Sequence, residues 1–310
     1  MTSAELYAAA TTSGAIADLS ARSRWQLSGA DRVRYLNGQL TRDVKKLAPG
    51  KSSPACVLDV KGRLCGDVWI SAAENFLRMD ADADVRETLG ARLERYIIAD
   101  DAVLEDVTDA TGQLHLLAPA GVEIGTLVPD ASQWLECPRL GLRGYDFFGT
   151  REEAAAMLST LAKTLPSLEG GEVLESIRIE HGVPRWNAEL KPETLPAEAG
   201  LDATAIDFAK GCYLGQEIVS RIRSVGHVNR QLAGFLAGDN RPLAPGTSLF
   251  ASADAERESA VITSAAWSFA LSRPVALGYL RRGTAGPVLH AREDGQPARE
   301  VEIRPLPFVP

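Results

Sequence analysis

The chain has 310 residues, 33 Lys and Arg against 41 Asp and Glu, a net charge of -8, and is 45% apolar and 24% charged. A globular chain of this size buries a core without disulfide or metal staples, which excludes the small stapled scaffolds. The acidic surplus argues against a dedicated duplex nucleic-acid binder, which needs many Lys and Arg on phosphates, so no direct nucleic-acid partner is expected beyond a local basic patch.

The N-terminal stretch has no basic residue before Arg22 and no continuous apolar core, so no secretory signal is expected. No run approaches ~18 consecutive apolar residues, so no membrane partner is expected and the location expected is the cytoplasm. Cys56, Cys65, Cys137 and Cys212 form no CxxC pair, and a reducing compartment keeps them as thiols.

In chain order, Ser28 and Asp31 offer caps for a short helix with Val33, Leu36 and Leu40 on one face, ending near Thr41. Pro49 and Gly50 break it, and CVLDVKGRLCGDVWIS reads as two strands around a Lys61-Gly62 turn. Leu89, Leu93 and Ile97 mark a second helix, followed by strand-like AVLEDV and QLHLLA. REEAAAMLSTLAKTL is helical with its acids in the first turn, and after Gly170-Gly171 so is EVLESIRIEH, which Gly182 and Pro184 end. The stretch from Pro184 to Ala203 is irregular, a length of loop that is usually functional or disordered. From Leu232 short β-like runs, with turns that include Asp294-Gly295, predict a small all-β barrel or sandwich.

Several motifs fail. PGKS at 49 to 52 has Lys45 where a phosphate loop needs glycine, and there is no GxGxxG after a strand, no HExxH and no GxSxG. The four histidines are scattered, so no metal site is expected.

The segment AIDFAKGCYLGQEIVSRIRSVGHVNR is the most informative. Ile206 and Phe208 suggest a short strand, Lys210-Gly211 a turn, and Leu214, Ile218 and Ile222 a helix that begins just after Cys212 and stops at Gly226. Cys212 then lies at a helix N-terminus beside Lys210, a setting that favours the thiolate. It is either a reactive thiol or soft-metal ligand, or a residue that packs in a tight turn. Arg221, Arg223, His227 and Arg230 form either a basic strip, for RNA or the glutamate tail of a folate, or a solvated face.

KGCYLGQE, Lys210 to Glu217, resembles the signature of the YgfZ family of folate-binding proteins, whose mitochondrial relatives serve iron-sulfur cluster assembly. That family in turn resembles the aminomethyltransferase, or T-protein, of the glycine cleavage system. LSGADRVRYLNGQLTRDV, KGRLCGDV, RIEHGVPR, PAEAGL and ALGYLRR resemble further pieces of the family pattern in the same order, so the resemblance runs from Leu27 to Arg282.

The resemblance implies an α+β, T-protein-like ring of three domains around a central folate-binding channel. The expected units are 1–46 with 138–229, then 47–137, then a C-terminal β-barrel at 230–310. It implies tetrahydrofolate or a derivative as cofactor and an iron-sulfur cluster held only transiently if at all. The implied function is support of iron-sulfur enzyme assembly or repair, with an indirect effect on tRNA modification. Client or assembly proteins are then partners.

Among residues, it implies Glu180 as the grip on the pterin, whose adjacent N–H and amine suit a carboxylate, with Lys210, Tyr213, Gln216 and Arg223 as further cofactor contacts. Glu180 sits in the last turn of its helix, where the dipole disfavours it; a ligand accounts for that, and so does solvation or pairing with Arg178 or Arg185. Cys212 and Asp67 are the implied catalytic residues. T-proteins carry an acidic pair where this chain has Gly66-Asp67, a departure that weighs against T-protein-type aminomethyl transfer. Two alternatives stand beside the implied function: a folate-dependent aminomethyltransferase or demethylase, and a non-enzymatic interaction module.

Overall fold

The computed structural model describes residues 1–168, 171–292 and 298–309. The chain opens with α1 (Ser3–Thr12), started by a capping box in which Thr2 and Glu5 satisfy each other's backbone N–H groups. Next, β1 (Ala15–Asp18) enters a four-stranded sheet with β7 (Thr111–Leu117), β9 (Gly144–Thr150) and β8 (Trp134–Glu136), in the order β1-β7-β9-β8. A one-turn helix, α4 (Ile124–Leu127), and the amphipathic α5 (Arg151–Leu161) cover it, with Leu161 against Ile16, Leu116 and Phe147. A second capping box, Thr150 with Glu153, starts α5.

A five-stranded antiparallel sheet runs β3-β4-β5-β2-β6, built from β2 (Ser23–Ser28), β3 (Ser53–Leu58), β4 (Leu64–Ala72), β5 (Leu77–Ala81) and β6 (Val103–Asp106). Leu36 of α2 (Arg32–Gln39) and Leu89 and Leu93 of α3 (Arg86–Glu94) share its core. Strand pairing crosses the expected boundaries at 46 and 137: β2 bonds to β5 and β6, and β8 to β9. Local periodicity marks strands but not their distant partners, so it leaves the grouping open.

The stretch from 184 to 203 is neither disordered nor a loop over the surface. Trp186, Leu190 and Ala199 pack into the core of the five-stranded sheet, the Thr194 carbonyl accepts from the Leu64 N–H at 3.0 Å, and the Tyr279 hydroxyl donates to the Glu189 carbonyl at 2.9 Å. It is an ordered strap between that sheet and the C-terminal strands. Gly171 precedes α6 (Glu172–Glu180), while Gly170 lies outside the described residues.

The C-terminal runs form a closed antiparallel barrel in the order β10-β13-β12-β11-β14-β15. Its strands are β10 (Arg230–Ala237), β11 (Ser248–Phe250), β12 (Glu258–Ser268), β13 (Arg273–Arg281), β14 (Val288–Ala291) and β15 (Arg299–Arg304), around a core of Phe235, Leu249, Leu289 and Val301. Closure leaves no free sheet edge. The expected Asp294-Gly295 turn lies outside the described residues. No helix among the described residues is long and apolar enough to cross a membrane.

Candidate functional site

The KGCYLGQE segment holds no strand; residues 206 to 214 alternate turns and irregular backbone, and α7 (Gln216–Ser224) starts only after Gly215. Cys212 is therefore three residues before the helix cap and not at its N-terminus, because Gly215 takes the left-handed conformation at φ 84° and postpones the helix. Its thiol is exposed and unpaired, whereas Cys56 and Cys137 are buried and Cys65 is half-buried. Burial pushes the Cys56 and Cys137 thiols up, away from reactivity.

Lys210 does not lend its charge to Cys212. Its ammonium is buried and donates to the carbonyls of Asn37 at 2.7 Å, Leu40 at 2.5 Å and Arg42 at 2.8 Å, satisfying carbonyls at and just past the C-terminal end of α2. Burial lowers its pKa to about 8, with Asp43 and Asp207 pulling the other way. The same ammonium stands 5.1 Å from the ring centre of Tyr213. Tyr213 is a core residue of the five-stranded sheet, and burial raises its phenol to about 12. Gln216, half-buried, is the first residue of α7.

The two motifs KGRLCGDV and KGCYLGQE touch. A Cβ on Gly62 would lie 3.0 Å from Ile218, and one on Gly215 only 2.6 Å from the Asp59 carbonyl oxygen, so the β3–β4 turn abuts the start of α7. Along β4, side chains alternate: Gly66 faces Leu89, where a Cβ would meet its side chain at 2.9 Å, and Asp67 faces the other way, opposite Cys56. An acidic residue at 66 would enter the hydrophobic core. Asp67 Oδ1 is enclosed and has no hydrogen-bond partner, and burial raises its carboxyl pKa.

Trp69, two residues on and on Asp67's face, lies 5.2 Å from the Arg139 guanidinium. Arg139 bridges the two sheets by pairing with Asp80 of β5 at 3.1 Å and with Asp146 of β9. Arg22 adds a second contact to Asp80 at 2.6 Å, and His115 Nδ1 lies 2.7 Å from Asp146. This buried network escaped the sequence reading. Its signal is an acid at the centre of an apolar strand, as in Gly-Tyr-Asp-Phe-Phe, where Asp146 is wholly buried.

Glu180 stands elsewhere. It is wholly buried, and its carboxylate accepts from the Tyr7 and Ser268 hydroxyls at 2.6 Å each, the Ser176 hydroxyl at 3.3 Å and the Ala270 N–H at 3.3 Å. These four donors answer the helix-end placement, and neither Arg178 nor Arg185 pairs with it. Arg178 instead joins Glu175 and the buried Glu189, and Arg185 lies 3.7 Å from Glu175.

Arg223 is exposed, with its guanidinium 3.8 Å from the centre of the Phe208 ring, and lines a cleft of about 490 Å³ between α7 and the barrel. Cys212, Asp67 and Glu180 do not line that cleft. Among the described residues no group of three or more His, Cys, Asp or Glu could hold a metal ion.

No protein-family model matches the chain. It is 29% identical over 248 residues to the mitochondrial iron-sulfur cluster assembly factor IBA57 homolog of Phaeosphaeria nodorum, covering 74% of this chain and 57% of that protein. It thus spans little more than half the length of that relative. To the tRNA-modifying protein YgfZ of Shigella sonnei it is 28% identical over 232 residues, covering 68% of this chain and 68% of that one. Among solved structures, the glycine cleavage system aminomethyltransferase T from Bartonella henselae superposes with a TM-score of 0.84 over 99% of this chain and 89% of that one, at 20% identity. That likeness is one of fold.

Proposed function

Because the chain belongs to the YgfZ/IBA57 family, structurally related to the glycine cleavage T-proteins, we propose that it is a tetrahydrofolate-binding factor supporting the assembly or repair of iron-sulfur enzymes, and through them, indirectly, tRNA modification. The observation that carries this reading is the exposed, free Cys212 in a loop that Lys210 and Gly215 hold in place. One thiol does not ligate a cluster by itself, so a cluster would pass as cargo between Cys212 and ligands of a partner.

Asp67 fits the folate. An enclosed acceptor without a donor is costly, and a reduced pterin brings N–H and amino donors that a carboxyl can receive. Trp69 lies on the same face of β4, beside the Arg139 guanidinium. When bound, tetrahydrofolate supplies a carrier for one-carbon units. Asp67 would orient the ring by accepting from its donors.

A second reading, folate-dependent aminomethyl transfer, is favoured by the retention of Asp67. Gly66 weighs against it, because its position faces Leu89 and offers no place for the second acid. Calorimetry separates the parts. Tetrahydrofolate should bind the purified protein, at least tenfold more weakly to Asp67→Ala and equally well to Cys212→Ala. An absence of binding to the wild type would remove the folate from the account, and one-carbon transfer from an aminomethyl donor would establish the second reading.

A further inference from the structure

Five arginines gather where α7 meets the barrel rim on an otherwise acidic chain: Arg223, Arg230, Arg281 and Arg282 line the 490 Å³ cleft, and Arg257 joins the last two around an adjoining hollow of about 670 Å³. Three carboxylates line the cleft or pair with its arginines: Glu198, which pairs with Arg230 at 3.0 Å, Glu258, which pairs with Arg281, and Asp202 in the lining. Two positive charges are left over. Among the described residues no carboxylate pairs with Arg223, Arg257 or Arg282. One wall of the cleft is apolar, made by Phe208, Ile222, Val228 and Leu280. The turn at Arg282 and Gly283 is anchored by the Arg282 N–H on the Asn229 carbonyl at 2.9 Å, and Gly283 has no heavy atom within 4 Å of where a Cβ would stand. Backbone and guanidinium groups are therefore open to a ligand on this side.

We propose that this cleft is a nucleotide site, taking the phosphates on Arg257 and Arg282 with Arg223 at the side, and the base on the apolar wall. Guanidinium forks match phosphate oxygens in pairs, and a di- or triphosphate brings at least the two negative charges that the cleft leaves unmatched. The flat base fits the aliphatic wall of Ile222, Val228 and Leu280, edged by the Phe208 ring with Arg223 stacked on it, better than a plain inorganic anion would. The same chemistry comes from a free nucleotide or from the phosphorylated end of a single strand. The site stands apart from Asp67 and does not depend on the folate reading.

The test is calorimetry on the full chain with ADP, adenosine, a 5′-phosphorylated single-stranded oligonucleotide and p-aminobenzoyl-glutamate. ADP should bind at least tenfold more tightly than adenosine, and the R257Q/R282Q double variant should weaken ADP at least tenfold. Both arginines are exposed, so the thermal midpoint should not move, and tetrahydrofolate binding should match the wild type. Tighter binding of the oligonucleotide than of ADP would identify the strand end as the source, and the reverse the free nucleotide. The proposal is overturned if ADP binds no better than adenosine, if the double variant binds ADP like the wild type, or if p-aminobenzoyl-glutamate binds as tightly as ADP.

Discussion

The Lys210 ammonium donates to the carbonyl oxygen of Asn37 at 2.7 Å, across 173 residues, and to two further carbonyls at and just past the end of α2. The lysine that opens the KGCYLGQE segment is thus a cap on a distant helix. Lys210→Met strands three carbonyls and should cost on the order of 3 kcal/mol in chemical denaturation. Because the folded pKa is lowered to about 8, the unfolded chain takes up more protons between about pH 8 and 10.5. Lys210's contribution is complete above about 10.5 and lost as pH falls through about 8, so the difference between wild type and Lys210→Met should grow across that window. A constant difference would contradict the burial.

Gly215→Ala should be disruptive beyond its size. The left-handed backbone and the 2.6 Å approach to the Asp59 oxygen together call for a shift of the β3–β4 turn, at a cost of about 2 kcal/mol or more. Gly211→Ala is the comparison: nothing lies within 4 Å of its Cβ position, so its midpoint in urea should stay close to wild type.

The Arg139 network should govern acid stability. Burial pushes the His115 pKa down while Asp146 opposes it, so the folded imidazole is neutral and the unfolded one takes a proton below about 6.5. This contribution is present above that pH and lost as pH falls below it. Against burial, Arg139 and His115 hold Asp146 ionised far below the usual carboxylate range, so Asp146 adds little between pH 7.5 and 5. His115→Asn should flatten the loss of stability over that interval, measured by urea unfolding; an unchanged slope would contradict it. Arg139→Met leaves Asp80 with Arg22 and Asp146 with His115 as their remaining ionisable partners, and should cost about 3 kcal/mol.

Glu180 offers a clear division between clamp and ligand partner. Glu180→Ala strands the Tyr7 and Ser268 hydroxyls and should lower stability by on the order of 3 kcal/mol while leaving tetrahydrofolate affinity near that of wild type. A variant with wild-type stability and no tetrahydrofolate binding would make the carboxylate a pterin partner instead.

Much of the helix and strand content was legible. The 3.6-residue recurrence of Leu89 and Leu93 and the alternation in the C-terminal runs are local signals, and α3 and the barrel strands carry them. The start of α1 was written in the Thr2 and Glu5 capping box, which the alanine-rich sequence around it obscures. What could not be read is long-range. The Lys210 carbonyl partners lie at and just beyond the end of a helix about 170 positions away, and three of the four Glu180 donors come from residue 7 and residues 268 and 270. Placing α7 immediately after Cys212 also followed the apolar spacing, but Gly215's backbone delays it.

The most direct test of the central claim is complementation through Cys212. In cells that lack the protein and have low iron-sulfur enzyme activities, the wild-type chain should restore those activities and Cys212→Ala should not, at equal abundance and equal thermal midpoint. Full restoration by Cys212→Ala would contradict the account.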